Sequence, residues 1–516
     1  MKYRFILGLI FVYFVLHLTN LTLLPLFNDE AIYLDWGWNH THMSGHLYDA
    51  LLDAKQPLMI WIFGFFENFF TDPLFAGRFA SVLIGSLTLV GIYKTTKKLF
   101  AEKVAIVAGL LYSIIPIFLF YNRQALLEAG VACVGVWSFY SLLNLLRHPT
   151  ARNGIILGSI LGIGFFIKSS SLLFIVSASV LILWYVVKHK NVSLLKSYCF
   201  AILTFFGVDF FLFINPLFWQ TFSSNSRYSY TLAEFFTFPF SAWISHLIGF
   251  FEIGFFFITP FVFVSAFVGM FLMRKNKIKD HHPFIFYFVL ALLLEIFSAK
   301  FQGQRYLFTF LPFLIISAAY VFILLWEGAL WKKLTGIGSF IPPLVLSFMI
   351  LFSPKDYILD LSKVTNYSDV GYVLGQTSGY GIGEAMNYIK EHSSPALPTM
   401  IVFGLNIGNP ESAVDIYSQK NPQLFALHID ANFFPGIDQY KCLSSKYPIF
   451  LVARNAELLG MERYFSLEKE FINPDNTYSI RLYTLKKNCT GKTLSLSDIY
   501  QESINKIMFM RSGGIQ

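Results

Sequence analysis

The side chains that could do chemistry lie at the ends of long apolar runs. Asp29 and Glu30 are adjacent where the first apolar run ends, and Lys55 lies in the loop that follows this run. Glu128 begins a later apolar run. Carboxylates beside cations suit the transfer of a group away from a phosphate. A carboxylate can take the proton from an attacking hydroxyl, and Lys or Arg can hold the departing phosphate. The alternative for each residue alone is a solvated charge at a membrane interface.

The elements that must position these residues are apolar runs that fill almost all of positions 1–354. The chain has 516 residues, is 55% hydrophobic and 18% aromatic, and has a mean hydropathy of +0.57. This composition excludes an ordinary soluble domain. Because a crossing helix needs about 20 apolar residues, the runs predict a mainly α-helical, polytopic protein with about 11 transmembrane helices. The predicted crossings are 5–25, 77–94, 104–121, 128–146, 154–167, 170–187, 198–214, 246–273, 284–299, 307–326 and 336–353.

Two segments need separate interpretation. The N-terminal run is long and lacks a small-residue cleavage pattern, so we expect a retained crossing rather than a signal peptide. The segment 57–70 is too short to span comfortably and is interrupted by Glu67, which indicates an interfacial or re-entrant helix. No basic-aromatic patch suggests a nucleic-acid partner.

The basic residues orient the crossings, because they cluster in alternate loops and such loops face the cytoplasm. The clustered residues are Lys94, Lys97, Lys98, Lys103, Arg147, Arg152, Lys188, Lys190, Lys196, Arg274, Lys275, Lys277, Lys279, Lys332 and Lys333. The loops on the opposite side carry few basic residues: Lys55, Arg123, Lys168, Arg227, Lys300 and Arg305. The candidate site residues are therefore expected on the side of the cell membrane that faces away from the cytoplasm. Nucleotide-sugars are generally lacking there, so the pattern predicts transfer from a lipid phosphate.

An ordered set of motifs covers most of positions 1–330. The motifs are DEAIY at 29–33, SGHLYDALLDAKQPL at 44–58, GRFASVLIGSLTLVGIYKTTKKLF at 77–100, YNRQALLEAG at 121–130 and QRYLFTFLPFL at 304–314. In this order the set resembles the C-type-fold (GT-C) glycosyltransferases of the protein O-mannosyltransferase and lipid A aminoarabinose transferase clan, families 39 and 83. The resemblance implies a GT-C fold. It also implies an integral membrane glycosyltransferase that moves a sugar from a polyprenyl-phosphate donor to an acceptor hydroxyl, with inversion.

The same resemblance implies catalytic roles for three acidic residues. Asp29 matches the acidic residue of the first outer loop, which serves as the base, and Glu30 would assist or help to bind a metal. Glu128 takes the second acidic site, where Asp is more usual. The aminoarabinose branch has a metal-binding acid directly before the lysine, but Ala54 stands here. Metal dependence therefore stays open, with a divalent metal as the candidate cofactor.

The resemblance also assigns the donor phosphate to Lys55, Arg305 and Tyr306. Supporting candidates are Asp49, Arg123 and Lys300, of which Asp49 is expected to hydrogen-bond within its own loop. The implied partners are a polyprenyl-phosphate sugar donor, membrane lipid, and an acceptor that is a glycolipid, a polysaccharide or a protein. The sequence identifies neither the sugar nor the acceptor.

The composition changes after Pro354. Positions 1–354 are predicted to form the transmembrane GT-C domain, and positions 355–516 a small extracytoplasmic α/β domain. The expected elements of the second domain are a helix at 383–392 and strands at 399–405, 423–429, 447–453 and 479–485. Of the four cysteines, Cys442 and Cys489 fall in this domain. An oxidising compartment favours a disulfide between them, with two free thiols as the alternative.

Two other classes of function remain open. A transporter or flippase of a lipid-linked sugar would also bind phosphate, although such proteins more often show internal repeats and broken helices near the midplane. A non-catalytic subunit of an envelope complex is the other. Sugar transfer that depends on Asp29 would separate an enzyme from both.

Overall fold

The chain divides into two compact units. The computed structural model describes residues 4–222, 226–393, 397–403, 408–428, 442, 444, 446–454, 465–474 and 476–486. The membrane unit consists of Met1–Leu21, Gly45–Ile62 and Arg78–Ser368, and the sheet unit of Thr22–Ser44, Phe63–Gly77 and Asp369–Gln516. The helix Pro354–Ser362, at the predicted boundary, lies within the membrane unit. The division at residue 354 remains a prediction.

Apolar helices dominate the membrane unit. Within the described part of the chain, six helices are long and apolar enough to cross a membrane: Pro73–Leu99, Glu128–Arg147, Ser169–His189, Phe240–Ile258, His281–Ser298 and Leu330–Phe352. Shorter apolar helices are Arg4–Leu18, Leu58–Glu67, Ala151–Ile167, Val192–Val208 and Pro312–Trp326. Together with the small C-terminal sheet, these helices confirm the mainly α fold class. The count of about 11 crossings remains a prediction.

Prolines divide two of the predicted crossings. The segment 246–273 contains parts of two helices, Phe240–Ile258 and Pro260–Lys275. Proline lacks the N–H that would continue a preceding helix, but it fits the first position of a new one. Pro116 interrupts 104–121 in the same way. The side of the membrane on which the chain's C-terminal part lies depends on the number of crossings, and it also stays a prediction.

The remaining helical elements are short or lie between the long helices. They are Glu102–Ile114, Pro116–Tyr121, Phe210–Phe213, Pro216–Phe222, Leu232–Phe235, Gln304–Leu307 and Pro354–Ser362, with 3-10 turns at Asp49–Asp53, Ser169–Ser171 and Val370–Tyr372. The predicted interfacial segment 57–70 contains the ten-residue helix Leu58–Glu67. At 1.5 Å per residue it extends about 15 Å, which is half of the hydrocarbon core.

Glycines spaced by four allow two helices to pack closely. Gly154 and Gly158 lie on the helix Ala151–Ile167, against Val192–Val208. A Cβ atom at either glycine would collide with backbone carbonyl oxygens of that neighbouring helix. Small residues at this spacing are a common way for membrane helices to approach each other. This packing holds the helix whose C-terminal end presents Lys168.

Among its described residues, the sheet unit contains five strands and three main helices. The strands are β1 Thr399–Phe403, β2 Leu424–His428, β3 Ile449–Arg454, β4 Phe465–Ile472 and β5 Ser479–Leu485, in the order β2-β1-β3-β5-β4. β1 is parallel to β2 and β3, whereas β5 is antiparallel to β3 and β4. The helices are Asn28–His42, Ile382–His392 and Glu411–Ser418. The last of these packs against the other two.

The structure confirms the predicted helix at 383–392 and the four predicted strands, at 399–405, 423–429, 447–453 and 479–485. Residues 404, 405 and 429 of these strands lie outside the described residues. β4 was not predicted from the sequence. Its alternation is broken by a register shift between Leu467 and Lys469, and most of its side chains are exposed. Charged side chains on an edge strand discourage further pairing, so composition marks β4 poorly.

Candidate functional site

One buried carboxylate in the membrane unit holds two cations. Glu128 is 1% exposed, and its Oε1 accepts hydrogen bonds from Lys168 Nζ at 2.6 Å and from Arg305 Nε at 2.8 Å. Its Oε2 is buried without a hydrogen-bond partner among the described residues. The side chains of Lys168 and Arg305 remain 16% and 17% exposed. These three residues, which we call the Glu128 cluster, carry one net positive charge.

Three separate segments build the Glu128 cluster. Glu128 is the first residue of the helix Glu128–Arg147. Lys168 ends the helix Ala151–Ile167 in an extended conformation, 40 positions further along the chain. Arg305 lies in a short helical turn, 177 positions after Glu128. The cluster therefore exists only because these helix ends meet.

Two further contacts extend the cluster. The ring centroid of Tyr306 lies 5.1 Å from Lys168 Nζ, a distance at which a cation and an aromatic ring attract each other. The side-chain carbonyl of Gln56 accepts a hydrogen bond from the backbone N–H of Ser169 at 2.9 Å. This bond ties the segment that carries Lys55 to the residue after Lys168.

Lys55 itself follows a tight turn. Ala54 adopts a left-handed conformation, with φ 56°, at the end of the 3-10 turn Asp49–Asp53. Lys55 Nζ lies 3.9 Å from Asp53 Oδ2 and 4.6 Å from the ring centroid of Tyr228. The turn therefore sets Lys55 between a carboxylate and an aromatic ring.

Asp29 and Glu30 lie in the sheet unit, in the first turn of the helix Asn28–His42. We expected them in a loop; the structure instead gives them the N-terminal end of a helix, where the helix dipole favours negative charge. Asp29 is half-buried. Glu30 is fully buried, and its Oε2 accepts a hydrogen bond from the backbone N–H of Phe27 at 3.0 Å. Glu30 thus stabilises the start of its own helix.

Arg123 has a structural contact. Its Nη2 donates hydrogen bonds to the backbone carbonyls of Thr19 and Asn20, each at 2.8 Å. These carbonyls follow the end of the helix Arg4–Leu18, where backbone acceptors have no partner within the helix. A cation is also favoured at that end. Arg123 therefore anchors the segment before Glu128 to the first helix.

The other supporting candidates have local partners. The ring N–H at His46 Nδ1 donates to Asp49 Oδ2 at 2.7 Å, a contact within their own loop, as we expected for Asp49. Lys300 Nζ donates to Glu234 Oε1 at 2.7 Å. The Lys300 ammonium and hydrogen bonds from Thr231 hold the pKa of Glu234 at about 2. The Glu234 carboxylate therefore stays ionised over the ordinary pH range.

The described residues do not form an evident metal site. No group of three or more His, Cys, Asp and Glu side chains within the described ranges could hold a metal ion. Of the cysteines, Cys133 and Cys199 are free thiols and Cys442 is disulfide-bonded. The predicted partner of Cys442, Cys489, lies outside the described residues.

The motifs indicated Arg305 and Tyr306 as site residues, but none of them assigned a role to Lys168. A usable signal was present, because basic residues are scarce in the loops assigned to the outer side. A lone lysine at the end of an apolar crossing is exceptional there. Its acidic partner could not be recognised, since Glu128 is 40 positions away.

Part of the chain matches a known family model. Residues 54–219 match the family described as dolichyl-phosphate-mannose-protein mannosyltransferase. The matched segment contains Lys55, Glu128 and Lys168. A search of curated protein sequences finds no match.

Solved structures are similar over most of the chain. ArnT from Cupriavidus metallidurans bound to undecaprenyl phosphate has 15% identity and a TM-score of 0.56, with 95% of this chain and 99% of that chain covered. The apo state of the same protein has 14% identity and a TM-score of 0.54, with 95% of this chain and 98% of that chain covered. An oligosaccharyltransferase from Archaeoglobus fulgidus, solved in complex with Zn and sulfate, has 11% identity and a TM-score of 0.48. That similarity covers 92% of this chain and 72% of that chain.

The apolar helices and the similarity to ArnT define a multi-pass membrane protein with the GT-C fold. Over residues 54–219 the chain is similar to the protein O-mannosyltransferase family model, and its fold is similar to that of ArnT, as the motifs predicted. The family match supports glycosyltransferase activity, and the structural similarity shows the fold. Neither identifies the sugar.

Proposed function

We propose that this chain moves a sugar from a polyprenyl-phosphate donor to an acceptor hydroxyl at the extracytoplasmic face of the cell membrane. The observation that carries the proposal is the Glu128 cluster, in which Lys168 and Arg305 are held close together and stay partly exposed. Paired Arg and Lys donors suit a phosphate. The ArnT structure of the same fold was solved with undecaprenyl phosphate, which supports a lipid phosphate as the ligand.

The proposed reaction is a single displacement. The Asp29 carboxylate takes the proton of the acceptor hydroxyl, and the acceptor oxygen forms a bond to the anomeric carbon of the sugar. The bond between that carbon and the phosphate oxygen breaks, and the phosphate keeps the electron pair. Attack opposite to the departing group inverts the anomeric configuration.

The cations neutralise the charge that develops on the leaving phosphate. We assign this role to Lys55, Lys168 and Arg305, with Tyr306 packed against Lys168. Glu128 is then a positioning residue, because it is buried and its Oε1 accepts hydrogen bonds from both cations. Glu30 keeps the helix start in place beside Asp29.

Donor binding tests the cation assignment without turnover. Undecaprenyl phosphate binding to the full chain in nanodiscs should weaken strongly in Lys168→Ala and Arg305→Ala. The matched control is Lys363→Ala, which removes an exposed cation paired with Asp360; its binding should equal that of the wild type. Wild-type affinity in all three variants would refute the phosphate site.

Turnover tests the catalytic assignment. Donors carrying mannose, aminoarabinose, galacturonate or N-acetylhexosamine on undecaprenyl phosphate are incubated with the chain and envelope extract, and released undecaprenyl phosphate is measured. Asp29→Asn should lower release by about 10²–10⁴-fold and leave donor binding intact. A flippase would move the donor across the bilayer without breaking the sugar–phosphate bond. Translocation without release, or full activity of Asp29→Asn, would refute the proposal.

A further inference from the structure

A cleft of about 830 Å³ lies wholly among residues of the sheet unit. This volume is within the range of about 300–1,000 Å³ that is usual for small-molecule sites. Its polar lining includes Glu384, Asn387, Lys390, Tyr417 and Lys420. Leu23, Leu26 and Leu74 contribute apolar surface. None of the residues discussed for the Glu128 cluster lines this cleft.

One helix supplies three of the polar groups. Ile382–His392 buries Ile382, Ala385, Met386 and Ile389, which face the interior of the sheet unit. Glu384, Asn387 and Lys390 recur every three residues and are exposed. Residues with this spacing share one side of a helix. The amphipathic pattern therefore sets a carboxylate, an amide and an ammonium in a row along the cleft.

Two hydrogen bonds and an aromatic ring fix the position of the Lys420 ammonium in the cleft. Its ammonium donates to the backbone carbonyls of Glu67 and Phe70 and lies 5.5 Å from the ring centroid of Trp38. An ammonium has three N–H donors, and these two hydrogen bonds use two of them. The remaining donor has no hydrogen-bond partner among the described residues, and it belongs to a group whose position is already set.

The lining charges balance. Asp72 and Glu384 are matched by Lys390 and Lys420, so the cleft does not select for an anion such as a phosphate. Its carboxylates accept, its ammonium groups donate, and its amides do both. A row of hydroxyl groups complements such a set because each hydroxyl both donates and accepts. The Tyr417 ring adds a flat apolar surface of the kind that packs against a ring.

From the cleft, its mixed lining and its balanced charge, we propose that the sheet unit binds a neutral saccharide at this place, separately from the Glu128 cluster. The sugar hydroxyls contact Glu384, Asn387 and Lys420, and a ring face lies against Tyr417. The proposal does not depend on the proposed function, since it concerns binding and no transfer step.

Gly383 provides a way to close the cleft. It lines the cleft, and a Cβ atom added there would meet nothing within 4 Å. A larger residue at this helix position avoids the entropic cost of glycine, so Gly383→Phe should fill the cleft without lowering the melting temperature. Maltose, cellobiose, lactose and N,N′-diacetylchitobiose are the probes. Their binding to the full chain in sugar-free nanodiscs is followed by saturation-transfer NMR.

We expect saturable binding of at least one disaccharide to the wild type and its loss in Gly383→Phe. Glu384→Gln should weaken that binding by about 2–10-fold, the effect of one hydrogen bond. Glu391→Gln is the matched control, because it is exposed on the same helix but does not line the cleft. Binding of no disaccharide by the wild type, wild-type affinity in Gly383→Phe, or equal weakening by both glutamate variants would overturn the proposal. Undecaprenyl phosphate binding should stay normal in Gly383→Phe, which separates this test from that of the donor site.

Discussion

Replacing Glu128 by glutamine tests how strongly the cluster is held. Glutamine keeps the shape and one carbonyl oxygen, so the hydrogen bonds from Lys168 and Arg305 can persist without the negative charge. A hydrogen bond to a charged group contributes about 1.5–3 kcal/mol, against about 0.5–1.5 kcal/mol for a neutral one. Two such bonds, at 2.6 and 2.8 Å, therefore predict a loss of about 2–3 kcal/mol. The expected loss is smaller than the cost of removing one partner of a buried ion pair, which is about 3–5 kcal/mol.

The free energy of unfolding is measured by denaturant titration in mixed micelles, from the transition midpoint. The matched control is Glu327→Gln. Glu327 lies 4.0 Å from Lys103, and these side chains are 57% and 79% exposed. Exposed pairs contribute about 0–1 kcal/mol, so the control should change little. Equal free energies of unfolding in the two variants would refute the reasoning that Glu128 is a buried anchor for two cations.

The same variant separates positioning from phosphate binding. Glu128→Gln raises the net charge of the cluster from one positive charge to two, while both cations keep an acceptor. Undecaprenyl phosphate should therefore bind at least as tightly as to the wild type. Binding as weak as that of Arg305→Ala would show that the charge of Glu128 is needed to keep the cations in place.

Three further predictions concern other residues. The apparent KM for the donor should rise most in Arg305→Ala and less in Arg305→Lys, because lysine keeps the charge but loses the planar fork. Glu67 is fully buried, its carboxylate oxygens have no hydrogen-bond partner within the described ranges, and burial raises its pKa well above 4.5. The folded state therefore holds a proton that the unfolded state loses as pH rises above 4.5, so Glu67→Gln should raise the melting temperature more at pH 8 than at pH 5. An impermeant maleimide should label Cys442 on intact cells only after reduction, if its disulfide partner is Cys489 and this part of the chain lies outside.

Each of these predictions has a contrary result. Equal KM values across the Arg305 series would make that residue a surface charge. A pH-independent effect of Glu67→Gln would mean that its carboxyl group does not titrate differently on folding. Labelling of Cys442 only after lysis, with or without reductant, would place the sheet unit in the cytoplasm and reverse the predicted topology.

The sequence by itself determined the fold class. Hydrocarbon cannot satisfy backbone hydrogen bonds, so an apolar run long enough to cross must form a helix whatever its neighbours are. The ordered motifs from 29–33 to 304–314 then indicated the GT-C fold, which the similarity to ArnT supports. The strands β1, β2, β3 and β5 could be predicted because each is a short apolar run between turn residues. These signals are local, and a single sequence contains them.

Only the tertiary structure decided which charges meet. Arg305 and Lys168 reach Glu128 from 177 and 40 positions away, and no local pattern encodes such a pairing. It depends on how helices pack, as at Gly158, where the absence of a Cβ atom lets two backbones approach. The hydrogen bond from Phe27 to Glu30 likewise depends on where a helix begins. Apolar length determines that a segment is a helix, but the steric fit between helix surfaces determines what the polar residues at its ends contact.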